Sequence, residues 1–385
     1  MQFSLTDEQT MIQDTARRFA ETELSPVAAI LEDASERPTY LKNLKKLSDI
    51  GFMGLNISSD YGGSEAGVIP FSLALTEIGR ACASTAVAMS VNNLVGEVVQ
   101  SIGTEDQKKI YIPKLCNGEF ACASFCLTES GAGSDPSRLK TLATKDGAEW
   151  VLNGSKMWIS SAEYAGFFVV WAVTDPTLPA GKGISCFLVD ADNPGVTIGI
   201  AENKMGQQAS STNSVHFDNC RISKDAMLGT ENQGFKIAVG ELVGGRIGIA
   251  SLALGLGSAA IDFARKYTTE REQFGEKISN FQGPQFMMAD TYTEREAAKL
   301  MVLQAAWKKD NNEPYMKAAS MAKLYCTEWA NRACYTALQL MGGAGYTKDY
   351  PLERYTRDAR VTTIYEGTSE IQRVIIAREL LKEIA

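Results

Sequence analysis

The sequence predicts an α+β fold in three parts: an N-terminal helical domain over 1–118, a middle β-barrel or sandwich domain over 119–232, and a C-terminal four-helix-bundle domain over 233–385. Two changes of pattern predict it. Apolar residues recur at helical spacing to about residue 118 and give way near Phe120 to runs rich in β-branched and aromatic residues. Helical spacing then returns after Gly234. At 385 residues the chain is long enough for two or three domains with a large core. Helices, then strands, then helices also argue against a doubly wound parallel sheet.

In the first part, Thr6-Asp-Glu-Gln9 and Thr104-Glu-Asp-Gln107 read as capping boxes, in which a hydroxyl and a glutamine satisfy the first free amides of a helix. Between them 71–78 and 87–99 read as buried helices, with a loop at Tyr61-Gly62-Gly63-Ser64. The strand runs are 150–158, 167–173, 184–189 and 214–217, and Asn153-Gly154 is a hairpin signal because both residues tolerate positive φ. In the last part 235–267, 281–309 and 314–340 are long enough for bundle helices. A final helix follows Ser369-Glu-Ile-Gln372, read as a further capping box, with Ile371, Val374, Ile375 and Leu381 on one face.

Composition removes several classes of function. A net charge of −8 argues against non-specific binding to nucleic acid or anionic membrane. Eight cysteines with no Cys-x-x-Cys pair fit reduced thiols. A single histidine, His216 in an alternating strand, rules out an HExxH or three-His metal site, so no metal is expected. The uncharged stretch 247–261 is shorter than a membrane span and reads as a core helix. The N-terminus is acidic rather than Arg-rich, so the expected compartment is cytoplasmic, or the mitochondrial matrix if a transit peptide has been removed.

Dinucleotide fingerprints are absent. Gly131-Ala-Gly133-Ser-Asp-Pro136 lacks a third glycine, Gly342-Gly-Ala-Gly345 follows a helix rather than a strand, and no phosphate-loop motif occurs. Three other features suit a bound cofactor. A strand runs into a loop of hydroxyls and glycines over Phe125-Cys-Leu127-Thr128-Glu-Ser-Gly-Ala-Gly133-Ser134, where backbone amides can approach a ligand closely. Trp158 and Ser160 fall two apart, on one strand face, with Ile159 between them. Arg271, in Arg-Glu-Gln-Phe-Gly275, is suited to pair with a pyrophosphate.

These loops, with Asn153-Gly-Ser-Lys-Met-Trp-Ile-Ser160, Gly245-Arg-Ile-Gly-Ile-Ala250, Gln339-Leu-Met-Gly-Gly-Ala-Gly-Tyr346 and Arg357-Asp-Ala-Arg-Val-Thr-Thr-Ile-Tyr-Glu-Gly-Thr-Ser-Glu-Ile-Gln-Arg373, resemble the acyl-CoA dehydrogenase family in order and spacing over essentially the full length. The resemblance implies a homotetramer of three-domain subunits with FAD between the β domain and the C-terminal bundle. By that analogy Phe125, Leu127, Thr128, Gly133, Ser134, Trp158, Ile159 and Ser160 hold the flavin. Arg271, Gln282, Gln339, Gly342 and Gly343 reach the FAD of a neighbouring subunit, and Thr368 and Glu370 contact the cofactor from the loop that opens the last helix. Ser134 and Arg246 would face the CoA part of an acyl-CoA substrate, with Gly367 beside the acyl group. Many relatives carry an acidic residue three before the arginine, and Val243 stands there in this chain. An electron-transferring flavoprotein is the implied acceptor.

Removing a proton next to a thioester needs a base near that carbon and donors aimed at the carbonyl. Glu366, in a loop between Tyr365 and Gly367, is the expected base, and burial beside an acyl chain would raise its pKa. Family members that carry the base elsewhere place a glutamate immediately before the arginine matched by Arg246; Gly245 stands there here. By analogy the Glu366 amide and a ribityl hydroxyl of FAD bind the carbonyl oxygen. The stretch 83–96, expected to line the acyl pocket, carries no charge to pair with a dicarboxylate, which favours a plain acyl chain of short or medium length. The competing readings are an acyl-CoA oxidase that passes electrons to oxygen and a non-catalytic acyl-CoA or flavin-binding relative.

Overall fold

The computed structural model describes residues 4–384; the first three residues, on which the reading of the N-terminus partly depends, and Ala385 lie outside them. Helices α1 (Asp7–Phe19), α2 (Arg37–Asp49), α3 (Val68–Ala81), α4 (Ala83–Ile102) and α5 (Glu105–Cys116) form the N-terminal part. Thr6 and Thr104 cap α1 and α5 with both hydrogen bonds of a capping box, as the sequence predicts. Helices α3 and α4 are buried along almost their whole length, which is why they are apolar all round rather than striped.

The middle strands are β1 (Cys122–Cys126), β2 (Leu142–Asp146), β3 (Glu149–Ser160), β4 (Ala165–Val173), β5 (Ile184–Asp190), β6 (Val196–Ile198), β7 (Thr212–Ser223) and β8 (Met227–Leu228). They pair as one eight-stranded sheet in the order β6-β7-β3-β2-β4-β5-β8, with β1 added beside β4. One face of the sheet packs Trp150, Phe168, Phe187 and Phe217 together, while Phe167, Val169 and Trp171 on the other face join the core shared with the helices.

Asn153-Gly154 does not make the hairpin. The tight turn between β2 and β3 falls at Gly147, with φ +62°, and Asn153-Gly154 lies inside β3 at an irregularity in its pairing with β7. Gly154 is needed there because a Cβ would come within 2.7 Å of the Thr141 backbone.

The C-terminal part holds α6 (Gly234–Glu270), a short hairpin of β9 (Glu272–Gln273) and β10 (Glu276–Lys277), then α7 (Gln282–Asp310), α8 (Met316–Met341), α9 (Leu352–Arg360) and α10 (Ser369–Lys382). Helix α6 is long and apolar enough to cross a membrane by length and composition, but its apolar window is mostly buried, packed against α3, α4, α7 and α8. The uncharged stretch at its centre is the core helix that the sequence predicts.

Two details of α10 differ from expectation. The N-cap is Thr368, whose hydroxyl accepts from the Ile371 N–H, because the Ser369 hydroxyl is committed to Glu328 on α8 at 2.6 Å. The face turned inward is Ser369, Gln372 and Ile375, so Val374 and Leu381 lie on the opposite, exposed side. A polar stripe faces the protein here, and its purpose emerges at the site.

Candidate functional site

Glu366 and Gly367 sit in the loop between α9 and α10 with φ of +55° and +85°, two successive left-handed residues. For glutamate that conformation costs about 1–3 kcal/mol and persists only where the surroundings enforce it. They do so through the carbonyls. Gln372 Nε2, from the polar stripe of α10, donates to the Glu366 oxygen at 3.1 Å and the Gly367 oxygen at 2.9 Å. Lys323 Nζ, from α8, donates to the Gly367 oxygen at 2.9 Å. The preceding Tyr365 hydroxyl accepts from Gln207 Nε2 at 3.1 Å, which ties the loop to the sheet domain.

Held this way, the Glu366 side chain points at α6. A Cβ built on Gly245 would stand 2.9 Å from Glu366 Oε2 and 3.3 Å from Leu94 of α4, so the absence of a side chain at 245 is what makes room for the carboxylate. Oε2 is buried and has no hydrogen-bond partner. Burial pushes the Glu366 pKa up to about 7, against the pull of the Arg246 and Lys323 charges. Arg246 is itself buried, donating from Nη1 to Ser320 at 3.2 Å and leaving Nε without a partner. Among the described residues the Glu366 N–H also donates to no protein acceptor. Buried polar groups are almost always satisfied within the protein, so an orphaned carboxylate oxygen, guanidinium nitrogen and amide in one place mark a ligand site.

The loop after β1 is the second element. Phe125 packs on Trp171 with ring centroids 4.2 Å apart, Leu127 is buried, and Glu129 and Ala132 close a tight turn by exchanging backbone hydrogen bonds. The Thr128 carbonyl accepts from the Met157 N–H at 2.9 Å, which fixes this loop against β3. Glu129 anchors it from inside, accepting from the wholly buried Lys156 at 2.7 Å and from the Lys140 and Thr141 amides and the Thr141 hydroxyl. The beginning of the loop is therefore rigid while Gly133 and Ser134 at its tip are exposed, with open space where a Gly133 Cβ would stand.

Trp158 lies beside this loop with φ +62°, where the pairing of β3 with β7 is irregular, and is 53% exposed, while Ile159 is buried and the Ser160 carbonyl accepts from Ser124. An indole turned outward by a left-handed backbone is costly unless something covers it. A rigid loop with an open glycine tip beside an aromatic face fits the planar ring and pyrophosphate of a flavin dinucleotide.

Of the other expected residues, Thr368 caps α10 and Glu370 is exposed in its first turn. Arg271, Gln282, Gln339, Gly342 and Gly343 are each exposed, in or next to the C-terminal helices. Among the described residues no hydrogen bond or ion pair joins that set to the Glu366 loop. Val243 is buried in the apolar contact between α6, α7 and α8. Sequence reasoning missed Lys323, Gln372 and the Lys156–Glu129 pair. The signal for Lys323 was present: it falls on the same helical face as Ala319, Ala322, Cys326 and Ala330, all buried.

Family models described as the acyl-CoA dehydrogenase N-terminal, middle and C-terminal domains match residues 6–119, 124–220 and 232–381. The chain is 43% identical to an acryloyl-CoA reductase (NADH) of Anaerotignum propionicum over 99% of its length and 96% of the relative's. It is 44% identical to the mitochondrial short-chain specific acyl-CoA dehydrogenase of Bos taurus, covering 98% and 91% of the two chains. The solved butyryl-CoA dehydrogenase of Megasphaera elsdenii superposes with a TM-score of 0.94 at 35% identity, covering 99% of this chain and 100% of that one.

Proposed function

The chain belongs to the acyl-CoA dehydrogenase family, and on that premise we propose that it oxidises a short- to medium-chain acyl-CoA to the trans-2-enoyl-CoA, with Glu366 as the base that takes the α-proton. The observation that carries the reading is the Glu366 carboxylate, whose Oε2 is buried without a partner, held over Gly245 by a clamped left-handed backbone, with a pKa of about 7.

A general base works best when its pKa lies near the working pH, ionised enough to accept a proton and basic enough to hold it. Desolvation supplies the basicity of Glu366, while Arg246 and Lys323 keep the ionised form accessible. Its unpaired N–H is the donor suited to the thioester oxygen, where negative charge grows as the α C–H bond breaks. Bound FAD would supply the acceptor for the hydride that leaves the β-carbon. Trp158, the loop Phe125–Ser134, Thr368 and Glu370 are the residues that would hold it. Arg271, Gln282, Gln339, Gly342 and Gly343 would do so across a subunit contact in a homotetramer, and their exposure supports that reading.

Ser134, Arg246 and Gly367 are assigned to the substrate, with Val243 as the departure from the usual acidic residue. The lack of charge along the first turns of α4, with Leu94 beside the carboxylate, supports a plain acyl chain. The similarity to short-chain enzymes supports a short one. An electron-transferring flavoprotein is the proposed acceptor and the cytoplasm the proposed compartment.

The test is anaerobic bleaching of the purified yellow protein by acyl-CoAs of graded length and branching. Rapid bleaching by short straight chains is expected, without peroxide when air is readmitted during turnover. A colourless protein, or no bleaching by any thioester, would overturn the reading; stoichiometric peroxide would make it an oxidase.

A further inference from the structure

The Lys323 side chain is 0% exposed on a face of α8 that also buries Ala319, Ser320, Ala322, Cys326, Thr327 and Ala330 and carries no other charge. A buried lysine is normally ion-paired, because an unpaired ammonium costs several kcal/mol to desolvate. This one makes no ion pair among the described residues, and its only hydrogen bond goes to the main-chain oxygen of Gly367, one residue after the proposed base. Gln372 is equally buried, spends both Nε2 hydrogens on the Glu366 and Gly367 oxygens, and leaves Oε1 unpartnered. Two costly polar burials from two helices thus converge on the two carbonyls that define the left-handed turn.

We propose that Lys323 and Gln372 are positioning residues for Glu366: both fix the backbone that aims its carboxylate at the substrate, and Lys323 adds a buried positive charge facing it. The inference rests on the proposed role of Glu366 as base. Arg246 of α6 is the other cation acting on the carboxylate, and the stronger of the two. Arg378 of α10 acts on Arg246 in turn, Tyr315 lies near that guanidinium, and the Glu328 and Glu370 charges act on Lys323. Tyr365 faces Glu366 from its own loop, and α4 contributes Leu94 without charge. Desolvation pulls the Lys323 pKa down to about 8, with Glu366 the largest influence opposing it, so the ammonium is still largely protonated where the carboxylate ionises.

The roles separate by substitution in the FAD-loaded enzyme, reading kcat, KM and the pH profile of kcat/KM with a short acyl-CoA. Lys323→Met should lower kcat at least about tenfold with KM nearly unchanged. It should also move the ascending limb of the profile up by about one pH unit, since an opposite charge at close range has been removed. Lys323→Gln, neutral but still a donor, should show the same displaced limb, and Lys323→Arg should move it back. Gln372→Met should lower kcat and leave the limb in place.

If Lys323→Met and Lys323→Gln keep kcat within twofold and the limb unmoved, the proposal is overturned, while an inactive Glu366→Gln would leave the base assignment intact. An active Glu366→Gln would instead sink the underlying reading. Should Lys323→Met not fold, Lys323→Gln and Gln372→Met carry the same readouts. Failure of all three to yield folded, flavin-loaded protein would make the role structural and overturn the proposal.

Discussion

Replacing Glu366 by glutamine should stabilise the protein, and by an amount that depends on pH. The side chain ionises at 4.5 when solvated and at about 7 in the folded protein, because burial disfavours its charged form. The sign follows. Below about pH 4.5 the carboxyl is neutral in both states and contributes nothing. As pH rises through 7 the unfolded chain ionises freely while the native state resists, so native stability is lost over that window. At about 1.36 kcal/mol per pH unit, the full effect above pH 7 is about 3 kcal/mol. Glutamine has nearly the shape of the neutral carboxyl and never ionises, so it mimics the low-pH state at every pH. Urea unfolding of flavin-loaded wild type and Glu366→Gln at pH 5, 6, 7 and 8 should therefore give a gap of about 1 kcal/mol at pH 5, widening to about 3 kcal/mol in favour of the variant at pH 8. A flat gap, or a wild type more stable than the variant at pH 8, would mean that the carboxylate is solvated or fully paired, and the argument from burial would fail.

Two further substitutions probe the geometry. Gly245→Ala places a methyl 2.9 Å from Glu366 Oε2, too close to coexist with the present rotamer, and should lower kcat at least about tenfold while flavin content stays near wild type. An unchanged kcat would show that the carboxylate does not act from this position. Lys156→Met leaves Glu129 buried without its cation, which costs about 3–5 kcal/mol when one partner of a buried pair is removed. Because Glu129 anchors the loop after β1, the variant should release flavin at dilutions where wild type retains it, measured by fluorescence of free FAD, and equal retention would detach that pair from the cofactor loop.

The coarse fold was legible because its signals are local and repeated. Capping residues at Thr6 and Thr104, a buried α3 and α4, and the long uncharged core of α6 are written in spacing and composition. Local signals failed where tertiary contacts decide. Asn153-Gly154 is a strong turn dipeptide, yet Asp146-Gly147 is another seven residues earlier, and pairing of β3 with β7 on both sides of Gly154 keeps that residue in a strand. Ser369 can cap a helix, but Glu328 claims its hydroxyl and Thr368 takes the role. The apolar face expected on α10 holds only in part: Ile375 is buried, but Val374 and Leu381 are exposed, and the inward side carries Gln372 to two carbonyls. At the site, the identity of Glu366 stood out in its motif. Its positive φ, the room left by Gly245 and the clamp from Lys323 did not, since each depends on residues brought together across the chain.

The most direct test of the account is the rate of anaerobic flavin bleaching by a short straight-chain acyl-CoA in Glu366→Gln, set against wild type at pH 8 with flavin content matched. The account predicts a folded, yellow variant that binds the thioester and bleaches at least about 100-fold more slowly, the lower end of what a general base contributes. A variant that bleaches at a near-wild-type rate would contradict it, because the α-proton would then be leaving to some other group.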